Sequence, residues 1–207
     1  MSQTRLEEKW NTISHALGIV LGIVGLILLL FFNTGKTAFS TVSIIFYGLS
    51  IIILYTSSTI YHAVENIKWK ALWRKFDHIS IYLLIAGTYT PVTLITLEKG
   101  SGWTIFWIVW GIAIFGTILK IFFTGRFEIV SVLLYLIMGW LVVLDFQNLI
   151  DNTTYFGLNL LMLGGIFYTL GIVFYAIEKM PYNHVIWHFF VLGGSISHYF
   201  FILTDVI

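Results

Sequence analysis

The sequence predicts an all-α integral membrane protein, a bundle of seven transmembrane helices that forms one domain over residues 1–207. Its composition is the first observation behind this class: 58% of the residues are hydrophobic and only 10% are charged, whereas about a quarter of a soluble domain is charged. The apolar residues are gathered in seven long runs, and the basic residues lie mainly in alternate links between them. We therefore expect a multi-pass protein of the cell membrane.

Each apolar run is close to the ~20 residues that a helix needs to cross a bilayer. The first run is too long for the core of a signal peptide, and no small-residue cleavage site follows it. The links are short, so helices that follow one another in the sequence should be antiparallel neighbours. The seven runs are 13–32, 39–63, 77–97, 103–123, 129–149, 156–176 and 184–205.

Two backbone features lie inside these runs. Gly18 and Gly22 are four residues apart in the first run, and small residues at this spacing let membrane helices approach closely. Pro91 lies in the third run and removes one helical hydrogen bond, which predicts a kink and leaves the Gly87 carbonyl without its helical donor.

The distribution of Lys and Arg predicts the orientation in the membrane, because basic residues favour the cytoplasmic side. Only Lys36 and Lys99 fall on the side that is opposite the N-terminus. The N-terminus is therefore expected in the cytoplasm and the C-terminus outside, which agrees with an odd number of spans. The remaining basic residues share the N-terminal side: Arg5, Lys9, Lys68, Lys70, Arg74, Lys75, Lys120, Arg126 and Lys179.

Polar side chains converge at the cytoplasmic ends of three spans. His184 and His188 are four residues apart at the start of the seventh span, so they share one helix face. His62 ends the second span one turn after Ser58, and Asp77 opens the third. A polar side chain inside a membrane span is costly unless it is paired, which marks these residues as functional candidates.

The other three histidines leave alternatives open. His15 begins the first span, and it either joins the group or bonds a neighbouring helix or a lipid headgroup. His78 either joins the group or is an interfacial residue beside Asp77. His198 lies ~21 Å beyond His184 at helical rise, which favours an interhelical hydrogen bond.

Three imidazoles suit Zn²⁺, since the chain has no cysteine to supply a thiolate. His62, His184 and His188 would leave a fourth position for water, as in catalytic zinc sites. Zinc lowers the pKa of such a water towards ~7. Asp77 could take its proton, and Ser58 could orient the water or stabilise a developing oxyanion. This set resembles a metal hydrolase that acts on an acyl bond at the membrane surface.

Four segments carry a resemblance to a known family: EEKWNTISHALG (7–18), SSTIYH (57–62), FDHISIYLLIAGTYTP (76–91) and HVIWHFFVLGGSISH (184–198). With these segments, the chain resembles the haemolysin III family, the bacterial branch of the progestin and adipoQ receptor superfamily. The resemblance implies seven helices and an intramembrane zinc ion near the cytoplasmic face. By motif match it implies His62, His184 and His188 as ligands, with Asp77 and Ser58 around the metal-bound water.

Three functions follow as hypotheses. The wider relatives of the family include ceramidases, which implies zinc-dependent hydrolysis of a lipid amide or ester, or a role in membrane homeostasis. The family's name implies a pore-forming haemolysin (cytolysis). A zinc-stabilised membrane sensor without turnover is the third. Membrane lipids are the expected partners and a homo-oligomer is compatible with all three. No nucleic-acid partner is expected, because no basic patch is interleaved with aromatic residues.

Overall fold

A computed structural model describes residues 3–177 and 179–207, and no strand occurs within them. The fifth span is formed by α5, a 3₁₀ turn at Leu141–Asp145 and α6. With this span, the described residues contain seven helical spans that are long and apolar enough to cross a membrane. The prediction of an all-α, seven-span membrane protein is confirmed. The helices are α1 (Arg5–Phe32), α2 (Ser40–Ala63), α3 (Ile67–Pro91), α4 (Gly102–Phe123), α5 (Glu128–Trp140), α6 (Phe146–Asp151), α7 (Tyr155–Ala176) and α8 (Asn183–Phe201).

Two helices begin well before the apolar runs that predicted them, because polar side chains cap them. Thr4 and Glu7 form a capping box, in which the Glu7 carboxylate accepts the Thr4 N–H at 2.7 Å and Thr4 Oγ1 accepts the Glu7 N–H at 3.2 Å. The Asn66 side chain accepts the backbone N–H groups of Lys68 and Trp69 at the start of α3. The polar first turns of α1 and α3 therefore belong to the helical framework.

The helices α2, α3 and α8 form the interior of the bundle. At least half of the residues in their apolar windows are buried, against 28% or less in the other four spans. The helix α2 packs between α1 and α3, while α8 packs against α7 and α1. The predicted metal ligands and catalytic residues all lie on these three inner helices, at the end of the bundle that holds the N-terminus.

Pro91 ends α3 and is followed by a π-helical turn at Val92–Thr96. The hydroxyls of Thr88 and Thr90 each donate to a backbone carbonyl four residues earlier, at 2.8 Å. Neither threonine therefore bonds the carbonyl of Gly87. The Pro91 ring is accommodated by a change of helix type at the end of α3, as expected where a backbone donor is missing.

Gly18 allows α1 and α2 to approach closely, as the sequence predicts. A Cβ atom at Gly18 would overlap the buried ring of Tyr55, and one at Gly22 would lie 2.8 Å from Ile51 Cγ2. We expect Gly18→Ala to destabilise the protein by about 1–3 kcal/mol, the usual cost of overpacking. The melting temperature in detergent measures this effect. Gly111→Ala is the matched control, since nothing lies within 4 Å of its Cβ position, and equal melting temperatures for the two variants would contradict the prediction.

Candidate metal centre

Three histidines from two inner helices meet at one point. His62 from α2 and His184 and His188 from α8 each bring one ring nitrogen to within 4.8 Å of the other two. Their ring centroids are 5.1 Å (62 to 184), 4.9 Å (62 to 188) and 4.8 Å (184 to 188) apart. The predicted convergence of these three side chains is confirmed. We call them the histidine triad.

One of the two ring nitrogens of His62, Nδ1, is bonded to a carboxylate. Nδ1 of His62 lies 2.6 Å from Oε2 of Glu8, in the first turn of α1. A carboxylate only accepts, so Nδ1 carries the proton and Nε2 carries the lone pair. This Nε2 is buried and has no hydrogen-bond partner among the described residues. A buried, unpartnered lone pair is the state in which an imidazole can bind a metal ion.

His188 shows the same arrangement with neutral partners. Its Nδ1 lies 3.3 Å from the Asn11 carbonyl oxygen and 3.2 Å from Ser14 Oγ. A carbonyl also only accepts, so this contact places the proton of His188 on Nδ1 and leaves Nε2 with its lone pair. Metal-ligating histidines almost always donate their second ring N–H in this way.

The grouping of the triad nitrogens is compatible with a bound metal ion. Zinc–nitrogen bonds of about 2.1 Å in a tetrahedral site place the ligand nitrogens roughly 3.4 Å apart, and the three grouped nitrogens all lie within 4.8 Å of one another. The donor set consists of imidazole nitrogens, which suit zinc as well as copper, iron and nickel.

Asp77 and Ser58 lie on the wall of the cavity that His184 and His188 also line. Ser58 Oγ is buried and has no partner in the described part of the chain. The structure therefore brings both predicted catalytic residues to the same cavity as His184 and His188. Their catalytic roles stay predictions.

His15 lies directly against the triad. Its ring stacks on that of His188 with centroids 3.5 Å apart and planes within 7°, and it contacts Tyr55 edge-on at 5.0 Å. Both of its ring nitrogens are buried without a partner in residues 3–177 and 179–207. His15 therefore lies beside the triad, which is one of the two predicted alternatives. Its ring nitrogens are not among the three that group together.

The remaining two histidines have other contacts. His78 lines the cavity, and its Nδ1 lies 3.6 Å from Oε2 of Glu128, which also bonds the buried Lys120 ammonium at 2.7 Å. His198 Nε2 lies 3.1 Å from the Leu161 carbonyl of α7. The predicted interhelical hydrogen bond of His198 is confirmed.

The contribution of Glu8, Asn11 and Ser14, in the first turns of α1, was not predicted from the sequence. All three contact the triad, as His15 does, and the spacing of these residues places them on one helix face. The T-x-x-E capping signal at Thr4 could have shown that the helix begins before this polar face.

Comparison with known proteins gives matches along almost the whole chain. A model of the family described as haemolysin-III related matches residues 3–199, which include every site residue described above. The chain is 46% identical to Hemolysin-3 of Bacillus cereus, over 100% of this chain and 95% of the relative. It is 43% identical to the Hemolysin-3 homolog of Bacillus subtilis, over 95% and 93%. It is also 30% identical to human Monocyte to macrophage differentiation factor, over 95% of this chain and 83% of that protein.

Proposed function

Because the chain belongs to the haemolysin III family, the bacterial branch of the progestin and adipoQ receptor superfamily, we propose that it is a zinc-dependent hydrolase of a membrane lipid. The bond cleaved would be an amide or an ester. One observation carries the proposal: His184 and His188 of the triad line one cavity together with Asp77 and Ser58, and His62 groups with these two histidines. Such a cluster is costly in a membrane unless it has a function.

The triad would supply three ligands to a metal ion and leave a fourth position for water or substrate. Zinc bound there would polarise the substrate carbonyl and acidify a water. Asp77 would accept a proton from the water that attacks the carbonyl carbon, and would return it to the leaving amine or alcohol. Ser58 Oγ, which has no protein partner within the described residues, would donate a hydrogen bond to the developing oxyanion. A C–O bond forms and the C–N or C–O bond of the lipid breaks.

The cavity is suited to an acyl chain. Beyond the polar end its wall is mainly apolar, with residues such as Ile81, Leu84 and Leu136. A second cavity begins where the first ends and shares Thr88 and His198 with it. The two together extend from the triad towards the other side of the bundle. Membrane lipids are therefore the substrate class that we propose.

The test is hydrolysis by the purified protein in detergent micelles. We expect zinc-loaded protein to release fatty acid from an N-acylated or esterified lipid, because the triad would bind the ion that polarises the carbonyl. Chelation should stop the release, and added zinc should restore it. Mass spectrometry of the fatty acid measures the outcome. Zinc-loaded protein that releases no fatty acid from either lipid class would contradict the proposal.

Membrane lysis is the second candidate, and the name of the Bacillus cereus relative, Hemolysin-3, favours it. The same protein, reconstituted into vesicles that contain a trapped dye, separates the two functions. Dye release without fatty-acid release would favour lysis. If the protein releases neither dye nor fatty acid, and its melting temperature falls when a chelator is added, a zinc-stabilised sensor is favoured.

A further inference from the structure

We infer that Glu8 is a positioning residue of the metal centre, which fixes the tautomer of His62 and braces the triad through Lys70. The inference rests on the proposed metal binding. Its geometric basis is the 2.6 Å contact between Glu8 Oε2 and His62 Nδ1. A carboxylate at this position holds the ring proton on Nδ1, which leaves Nε2 free and sets the plane of the ring.

The second oxygen of Glu8 has its own partner. Oε1 lies 2.9 Å from the Lys70 ammonium, in the first turns of α3. Because each oxygen bonds a different side chain, the carboxylate cannot rotate without breaking a contact. The bond to His62 is therefore held in one geometry.

Lys70 in turn is tied to the end of the helix that carries His62. Its ammonium donates to the carbonyl oxygens of Tyr61 at 3.2 Å and Val64 at 3.4 Å. Glu8 thus connects α1, α2 and α3 at the end of the bundle where the triad lies. The polar first turns of α1 and α3, which lie outside the predicted apolar runs, are used to build this brace.

The substitution Glu8→Gln shows why the carboxylate matters. The amide side chain would have one accepting oxygen and one donating nitrogen, so it could not accept from both His62 and Lys70. If the amide nitrogen faced His62, the ring would have to accept at Nδ1 and carry its proton on Nε2. In that tautomer Nε2 has no lone pair for a metal ion.

The test compares zinc affinity in Glu8→Gln and in the parent, by competition with a chromophoric chelator in detergent. We expect the variant to bind zinc about 10- to 100-fold more weakly, the usual effect of losing such a hydrogen-bond partner. Glu65→Gln is the matched control, because Glu65 is an exposed carboxylate three residues after His62. It should match the parent.

A spectroscopic readout separates positioning from general stability. With Co²⁺ at saturation, the visible absorption bands of Glu8→Gln should shift relative to the parent, because the orientation of His62 changes. A purely structural role would lower the melting temperature and leave the bands of the folded protein unchanged. Equal zinc affinity and equal bands in the variant and the parent would overturn the inference.

A second variant keeps the inference testable if Glu8→Gln does not fold. Lys70→Met preserves the Glu8–His62 bond but frees the second oxygen, and should weaken zinc binding about threefold, the scale of one partly exposed ion pair. An unchanged affinity would overturn the bracing role. If the parent protein binds no zinc, the proposed function itself is wrong. If the parent binds zinc and Glu8→Gln binds it with equal affinity, only the role of Glu8 is wrong.

Discussion

His188→Ala is expected to lower the zinc content of the purified protein from about one ion per chain to near zero. A tetrahedral zinc site with one open position has three protein ligands, and His188 is one of three candidates whose nitrogens group together. It is also 1% exposed, and its ring is held by Asn11, Ser14 and the stacked His15. Two remaining imidazoles would not retain the ion through purification.

The same variant should also lose thermal stability that depends on metal. The helices α2 and α8 carry the triad, but they pack mainly against their other neighbours and not against each other. Both of them contact α1. A metal ion bound to both would cross-link them directly, and its binding free energy would add to that of folding. After removal of the metal by a chelator, added zinc should therefore raise the melting temperature of the parent and leave that of His188→Ala unchanged.

Elemental analysis of protein purified without chelators measures the zinc content. His198→Ala is the matched control, because His198 lies on the same helix but bonds the Leu161 carbonyl of α7. It should keep the zinc content of the parent. Full zinc content in His188→Ala would show that the triad is not the binding site, and the histidines would then be a polar packing cluster.

The second large effect is expected from Asp77→Asn, which should slow lipid hydrolysis by about 10²- to 10⁴-fold, the contribution of a positioned acid–base group. Asparagine has nearly the same shape as aspartate but cannot accept the proton of the attacking water. Since Asp77 is not among the three grouped ligands, the variant should keep its zinc. Loss of turnover with retention of metal distinguishes a catalytic role from a ligand role.

The rate of fatty-acid release, measured at matched zinc content, checks this prediction. Asp151→Asn is a suitable control, since Asp151 is an exposed residue at the end of α6. Its rate should equal that of the parent. A parental rate in Asp77→Asn would remove Asp77 from the mechanism. If Asp77→Asn instead loses its zinc, Asp77 contributes to metal binding.

Much of the architecture could be predicted from the sequence because a bilayer imposes its own rules. Its thickness fixes the length of a helix that crosses it, so hydropathy alone located seven spans. Short links make consecutive helices run in opposite directions, which places each residue at a definite depth. Depth was sufficient to predict that His62, Asp77, His184 and His188 lie at the same level, and the structure places them there.

The tertiary structure decided which of these side chains touch. Hydropathy fixes position along the membrane normal, but it does not show which helices are neighbours or how each is rotated about its axis. The packing of α1 against both α2 and α8 brought His15 onto His188 and Glu8 onto His62. Glu8 was overlooked because a carboxylate in a polar first turn looks like any solvated residue. Its function depends on lateral packing, which is set by the fit of side chains between helices and has no simple period in the sequence.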